Sequence, residues 1–150
     1  MNLTASDIAQ MIDLSCVRTI SCKADIEVMV ASAKKYKFGQ VSVLQCFIPL
    51  TKSLIKEVPA IRLVGNVSFP SGSDSTTTKI FQAREMMAAG CDEIDMVINV
   101  GKLRSGEITE VTEDVKAVVA TVHPIPVKVI IETPYLTPRE LPKHWRPGRF

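Results

Sequence analysis

Glu93-Ile94-Asp95-Met96-Val97-Ile98-Asn99 and Val127-Lys128-Val129-Ile130-Ile131-Glu132 decide how this chain folds. Each is a short, mostly apolar run broken by charged residues. Runs of this kind read as strands of a parallel sheet, buried on both faces. Between them, 107–122 carries Ile108, Val111, Val115, Val118 and Val119 on one side of a helix. Strand, helix and strand in that order make a βαβ unit.

The alternation continues toward the N-terminus. A helix over 76–89 ends at Gly90, and 61–67 is an apolar strand running into the loop Phe69-Pro70-Ser71-Gly72. A short helix over 50–58 stops before Pro59, and 40–45 is a short buried strand. Residues 24–37 place Ile26, Met29, Val30 and Ala33 at helical spacing, with Gly39 closing the helix. Residues 11–17 form a further strand after a helix around 6–10, and Gly101 and Gly106 bracket a turn. The reading is an α/β fold with five parallel strands.

Composition bounds the function. The 150 residues hold 18 Lys and Arg against 16 Asp and Glu, are 46% hydrophobic and only 5% aromatic. That is a globular domain with a core, not a disordered chain. No apolar run approaches the roughly 18 residues of a membrane span. The first residues show neither a basic start nor an apolar block, so the expected compartment is the cytoplasm. Charge is uneven: 139–150 carries +3 and the remainder −1, so the body gives no footprint for nucleic acid. Pro134, Pro138, Pro142 and Pro147 crowd the C-terminal end, and 139–150 reads as a basic, proline-rich tail after a domain spanning 1–138. The four cysteines, Cys16, Cys22, Cys46 and Cys91, form no C-x-x-C pair and sit far from both histidines. They read as reduced thiols, mostly packed as small hydrophobes, and not as a metal site.

Charges inside apolar strands carry the chemistry. Burying a charge is costly unless it is paired, so Asp95 and Lys128 are expected to face each other on adjacent strands. Such a pair would perturb both acidities, as proton transfer requires. A structural ion pair or a solvated strand end is the plain alternative. Asp13 in Ile12-Asp13-Leu14-Ser15 is a weaker candidate, for which a helix cap or turn is the alternative. Glu132, Thr133 and the 69–72 loop are candidates by position alone, at the C-terminal ends of strands. His123 reads as a surface cap. No G-x-G-x-x-G, Walker or G-x-S-x-G pattern is present.

Taken together, these blocks resemble deoxyribose-phosphate aldolase. Ile12-Asp13-Leu14-Ser15, Phe69-Pro70-Ser71-Gly72, Cys91-Asp92-Glu93-Ile94-Asp95-Met96-Val97-Ile98-Asn99, Gly101-Lys102-Leu103-Arg104-Ser105-Gly106 and Val127-Lys128-Val129-Ile130-Ile131-Glu132-Thr133 follow that family's order and approximate spacing. The resemblance implies an incomplete (β/α)8 barrel, about five parallel strands with intervening helices. It implies cleavage of 2-deoxyribose 5-phosphate to glyceraldehyde 3-phosphate and acetaldehyde through a lysine Schiff base, with no metal or other cofactor. An iminium is an electron sink, so a neighbouring C–C bond can break to an enamine. By resemblance, Asp95 works with a water in proton transfer, Lys128 belongs to the same relay, and Asp13 supports them.

The sequence also departs from that pattern. The family's Schiff-base lysine lies one helix and one strand beyond the Val127–Thr133 block, whereas 18 residues follow Glu132 here. Lys143, their one lysine, stands between Pro142 and His144. The family's second active-site lysine and phosphate-binding loops lie further on still. Its strand-two cysteine is Ser42 here, with Cys46 four residues later. A complete barrel takes at least about 200 residues. The expectation is a truncated chain, the first five of eight strands, with weak or no activity alone. The alternatives are Lys128 acting as the nucleophile, two chains forming a pseudo-barrel, or a non-catalytic fragment that binds a full-length homologue. The expected small-molecule partner is a sugar phosphate, and self-association is left open.

Overall fold

The structure is a computed structural model, and it describes residues 2–138 and 140. Apart from Glu140, the tail read over 139–150 lies outside the described residues. Five strands, β1 (Asp13–Cys16), β2 (Gln40–Val43), β3 (Arg62–Val67), β4 (Glu93–Val97) and β5 (Val127–Ile130), form one parallel sheet in that order. The helices are α1 (Ala5–Gln10), α2 (Lys23–Tyr36), α3 (Ile48–Ile55), α4 (Thr76–Ala88), α5 (Val100–Arg104) and α6 (Ile108–Val122). Among the described residues, no helix is long and apolar enough to cross a membrane.

Successive strand side chains point to opposite faces. Val41, Val43, Leu63, Val67, Ile94, Met96 and Ile98 pack in one core with Ile26, Val30, Ala33, Met86, Val115 and Val118 of the helices. The alternate residues, including Ser42, Asn66, Glu93 and Asp95, share the opposite face. The sheet is thus apolar toward its helices and polar on the other side. β2 and β4 are buried along their whole length, and β3 from Leu63 onward. β1 and β5 are only half-buried, because each lacks a neighbour on one side.

The strand register shows what kind of sheet this is. Asp13 pairs with Gln40, and Gln40 with Arg62. Val64, two residues further along β3, pairs with Glu93, and Asp95 pairs with Lys128. Yet the Lys128 ammonium lies 2.9 Å from the Asp13 carboxylate. The row of paired residues therefore climbs four positions in the four steps from β1 to β5. An eight-stranded barrel has a shear of about eight residues per full turn, or about four per half-turn. The five strands form an arc of such a barrel.

Two local readings change. Helix α2 is closed by Lys37 in the left-handed region (φ 58°), not by Gly39. Gly39 instead lets α1 come close: a Cβ there would lie 2.2 Å from the Gln10 carbonyl oxygen. The segment between Gly101 and Gly106 is helix α5 and not merely a turn, because the Asn99 side chain caps it by accepting from the Lys102 amide at 3.0 Å. Gly90 closes the C-terminal end of α4 as read, with φ 79°. His123 is the exposed residue that follows α6. All four cysteines are free; Cys91 is buried and Cys16 partly so, while Cys22 and Cys46 are exposed, so only half of them pack as small hydrophobes.

The outer layer holds a charge pair that the helical pattern conceals. Lys79 of α4 is fully buried and lies 2.6 Å from Asp114 of α6. Lys79 shares the buried face of α4 with Ala83 and Met86. Asp114 sits among Val111, Val115, Val118 and Val122. Removing one partner of a buried pair strands the other charge. Lys79→Met is expected to cost about 3–5 kcal/mol in urea unfolding, with most of the loss recovered in the Lys79→Met, Asp114→Leu double variant. A loss below about 1 kcal/mol would show that the pair does not hold α4 against α6.

Candidate active site

The polar face of the arc converges on one ammonium. Lys128 Nζ donates to Asp13 Oδ2 at 2.9 Å. It also lies 3.1 Å from Asp95 Oδ1 and 3.3 Å from Glu93 Oε1. The carboxylates come from β1 and β4, the lysine from β5. Asp95 and Glu93 are buried while Lys128 is half exposed, so the cluster is reached from the lysine side. The structure thus brings Asp13, Asp95 and Lys128 together. Asp13 is neither a helix cap nor a turn residue, but the first residue of β1, turned inward by strand alternation.

The environment tunes these groups. Burial pushes the Asp95 carboxyl up to about 6, against the opposing pull of the Lys128 ammonium, while Asp13 and Glu93 push the same way as burial. For Lys128, burial works to lower the pKa. The hydrogen bond to Asp13 and the charges of Asp95 and Asp13 outweigh it and hold the amine above the ordinary lysine value. Lys128 is therefore a cation at neutral pH, not a free amine.

Glu93 is the residue that sequence reasoning missed. Its signal was spacing: it stands two residues before Asp95 and so shares its face. At the start of a strand it reads as a solvated end, and only the fold shows it buried.

The C-terminal ends of the strands carry a second polar layer. The Asn66 amide donates to Ser42 Oγ at 3.0 Å and to the Val43 carbonyl at 2.9 Å. Ser68 follows β3 with φ 56°, its N–H donating to Gln82 Oε1 at 2.7 Å; Gly72 N–H returns to the Ser68 carbonyl at 2.7 Å. The 69–72 loop is thus tied back to α4. Glu132, beyond β5, also has positive φ (53°) and leads into a short helical turn over Thr133–Tyr135. Of the three non-glycine residues with positive φ, Lys37 ends α2, while Ser68 and Glu132 sit at strand C-terminal ends, where βα folds place their chemistry. A cleft of about 680 Å³ lies elsewhere, lined by Ser73, Thr76, Asn99, Lys102 and Asp114, and does not include the charged cluster. Among the described residues, no group of three His, Cys, Asp or Glu side chains is arranged to hold a metal.

Comparison with known proteins gives this arrangement a context. Residues 7–148 match the DeoC/LacD family aldolase profile. The chain belongs to that family. The deoxyribose-phosphate aldolase of Klebsiella pneumoniae is 36% identical over 143 residues, covering 94% of this chain and 57% of the relative. That of Sinorhizobium medicae is 38% identical over 140 residues, covering 93% of this chain and 56% of the relative. Among solved structures, one described as a deoxyribose-phosphate aldolase from Coccidioides immitis superposes with a TM-score of 0.86 at 30% identity, covering 92% of this chain and 54% of that one. An aldolase named QR15 superposes with a TM-score of 0.81 at 27% identity, over 89% and 59%. The chain spans little more than half the length of the relatives it matches. The expected fold class holds: five parallel strands with intervening helices, corresponding to about half of these aldolase barrels.

The Asp95 carboxyl is expected to titrate near pH 6 by carbon-detected NMR. Its folded value lies above the ordinary 3.8, so from about pH 4 to 6 the folded state binds more protons than the unfolded one. The contribution of Asp95 to stability accordingly falls as pH rises through that window. A midpoint near 4 would show that the carboxyl is not desolvated.

Proposed function

We propose that the five strands carry the proton-transfer half of a class I aldolase site acting on 2-deoxyribose 5-phosphate. The observation that supports this most is the Lys128 ammonium held between Asp13 and Asp95 on the inner face of the arc. In the cleavage, the substrate aldehyde is first bound as an iminium by a lysine amine. The C3 hydroxyl then loses its proton, the C2–C3 bond breaks, and its electron pair moves into the iminium to leave an enamine. The C3 fragment departs as glyceraldehyde 3-phosphate. Protonation and hydrolysis of the enamine then release acetaldehyde. Asp95, with a midpoint near neutrality, suits the proton steps, acting through a water. Lys128 keeps the relay charged, and Asp13 holds Lys128.

Lys128 is not the nucleophile in this reading. A Schiff base forms from a neutral amine, and the surrounding carboxylates hold Lys128 protonated. Lys79 is fully buried against Asp114, away from the cluster. The 150 residues by themselves are therefore proposed to turn over weakly or not at all. A second reading, association with a full-length homologue, draws on the half-buried strands β1 and β5 at the sheet edges.

Two measurements test this. In a coupled assay of glyceraldehyde 3-phosphate release, the chain alone is expected to show no turnover, and borohydride with acetaldehyde to leave no adduct on Lys128. Turnover abolished by Lys128→Ala would reverse that assignment. Residues 1–138 joined to the remaining barrel strands of the Klebsiella pneumoniae relative are expected to be active, with Asp95→Asn lowering kcat by about 10²–10⁴-fold. An active chimaera indifferent to Asp95→Asn would remove Asp95 from the mechanism.

A further inference from the structure

The cleft of about 680 Å³ between α4, α5 and α6 lies within the size range of small-molecule sites. Asp74, Glu110, Glu113 and Asp114 line it, against one lysine, Lys102. Three of these carboxylates are paired. Lys102 serves Glu110 and, at 3.8 Å, Glu107; Lys116 lies 2.8 Å from Glu113; and Lys79 lies 2.6 Å from Asp114. Asp74 has no cationic partner among the described residues, and its Oδ2 accepts from the Gln82 amide at 3.2 Å. Five carboxylates thus meet three ammonium groups, an excess of two negative charges. The N-terminal ends of α4 and α6, each equivalent to roughly half a positive charge, offset about one of them. One atom makes the need for a donor concrete. Asp114 is 7% exposed and its Oδ2 takes the Lys79 ammonium, but its Oδ1 is buried with no hydrogen-bond partner among the described residues. A buried acceptor without a donor is costly. The neighbours of Asp114 on the buried side of α6, Val111, Val115 and Val118, offer none. The open side of the residue is the cleft.

We propose that this cleft is a binding site for a small organic ammonium ion, outside the cluster of Asp13, Asp95 and Lys128. The ammonium donates to Asp74 and to the unused Asp114 oxygen, which a small turn of the carboxyl group brings to the cleft. Its alkyl part lies on Val111 and Ala117, the apolar portion of the lining. A primary ammonium carries one charge and several N–H donors, which matches two acceptors and an excess of about one negative charge. Among the described residues, no group of His, Cys, Asp or Glu side chains is arranged to hold a metal ion. The cation that fits is therefore one that brings its own directed donors.

The test uses the full chain, with butylammonium chloride as the probe and backbone amide shifts in NMR as the readout. Sodium chloride at equal concentration reads ionic strength, and butanol reads the alkyl chain alone. Saturable shifts centred on residues 73–76 and 110–117 are expected with butylammonium and with neither control. Asp74→Asn is expected to weaken binding by about tenfold, the worth of one charge-assisted hydrogen bond. Ala117→Leu, which fills the cleft and leaves every charge in place, is expected to abolish it. Both variants leave Lys79 and Asp114 untouched, so the ion pair between α4 and α6 is kept. Shifts matched by sodium chloride would show screening only and overturn the proposal, as would shifts matched by butanol. Wild-type affinity in either variant would place the cation elsewhere and overturn it too. No turnover is read, so the outcome is independent of the aldolase reading.

Discussion

The Lys128 ammonium joins the first and last strands of a sheet in which they are not neighbours. Strands lie about 4.8 Å apart, so four steps across a flat sheet would separate β1 and β5 by about 19 Å. A four-carbon lysine stem covers only a fraction of that distance. The 2.9 Å contact between Lys128 and Asp13 is therefore compatible only with a strongly curled sheet. Curvature, register climb and the grouping of charges are three views of one constraint. Strand alternation turns Asp13, Glu93 and Asp95 inward, and buried carboxylates require a cation. A lysine from the far strand reaches them only if the strands wrap around it.

The outer layer solves a different problem. The helices cover the apolar face of the sheet with Val, Ile and Met contacts, which are strong but indifferent to small slides. The Lys79–Asp114 pair is directional: it aligns α4 with α6 at one point along their length. Helix α4 packs on β3 and α6 on β5, the strands that present Asn66 and Lys128. The geometry of the inner charges thus rests on the outer helices as well as on the sheet. Inner and outer ion pairs share one physical logic, a buried charge answered from a neighbouring element.

Much of this was legible in the sequence, for reasons that can be named. β4 and β5 stand out because apolar runs at strand length are rare outside buried parallel sheets, and a charge inside such a run must find a partner. Asp95 and Lys128 followed from that alone. Asp13 was harder, since β1 is a short edge strand of mixed exposure whose local pattern suits a turn equally well. Glu93 and Lys79 escaped because a charge at a strand start or on a helix normally reaches water, and only tertiary packing removes it. Gly39 was misread for a related reason: its role is set by Gln10 of α1, a contact no local pattern records. Asn99 capping α5 was a local signal present in the sequence and passed over.

The two-faced construction of the strands also bounds how this chain can change in length. Deleting one residue from β4 would exchange the two sets of side chains beyond it, turning Ile94 and Met96 toward the polar interior and the acidic residues toward the helices. No side-chain adjustment repairs such an exchange, because it inverts an entire strand at once. Length variation tolerated by this architecture should therefore collect between elements. The turn at Gly106 is such a place, since nothing lies within 4 Å of where a side chain there would begin. The strands behave as fixed-length words, and evolutionary drift in chain length is left to the spaces between them.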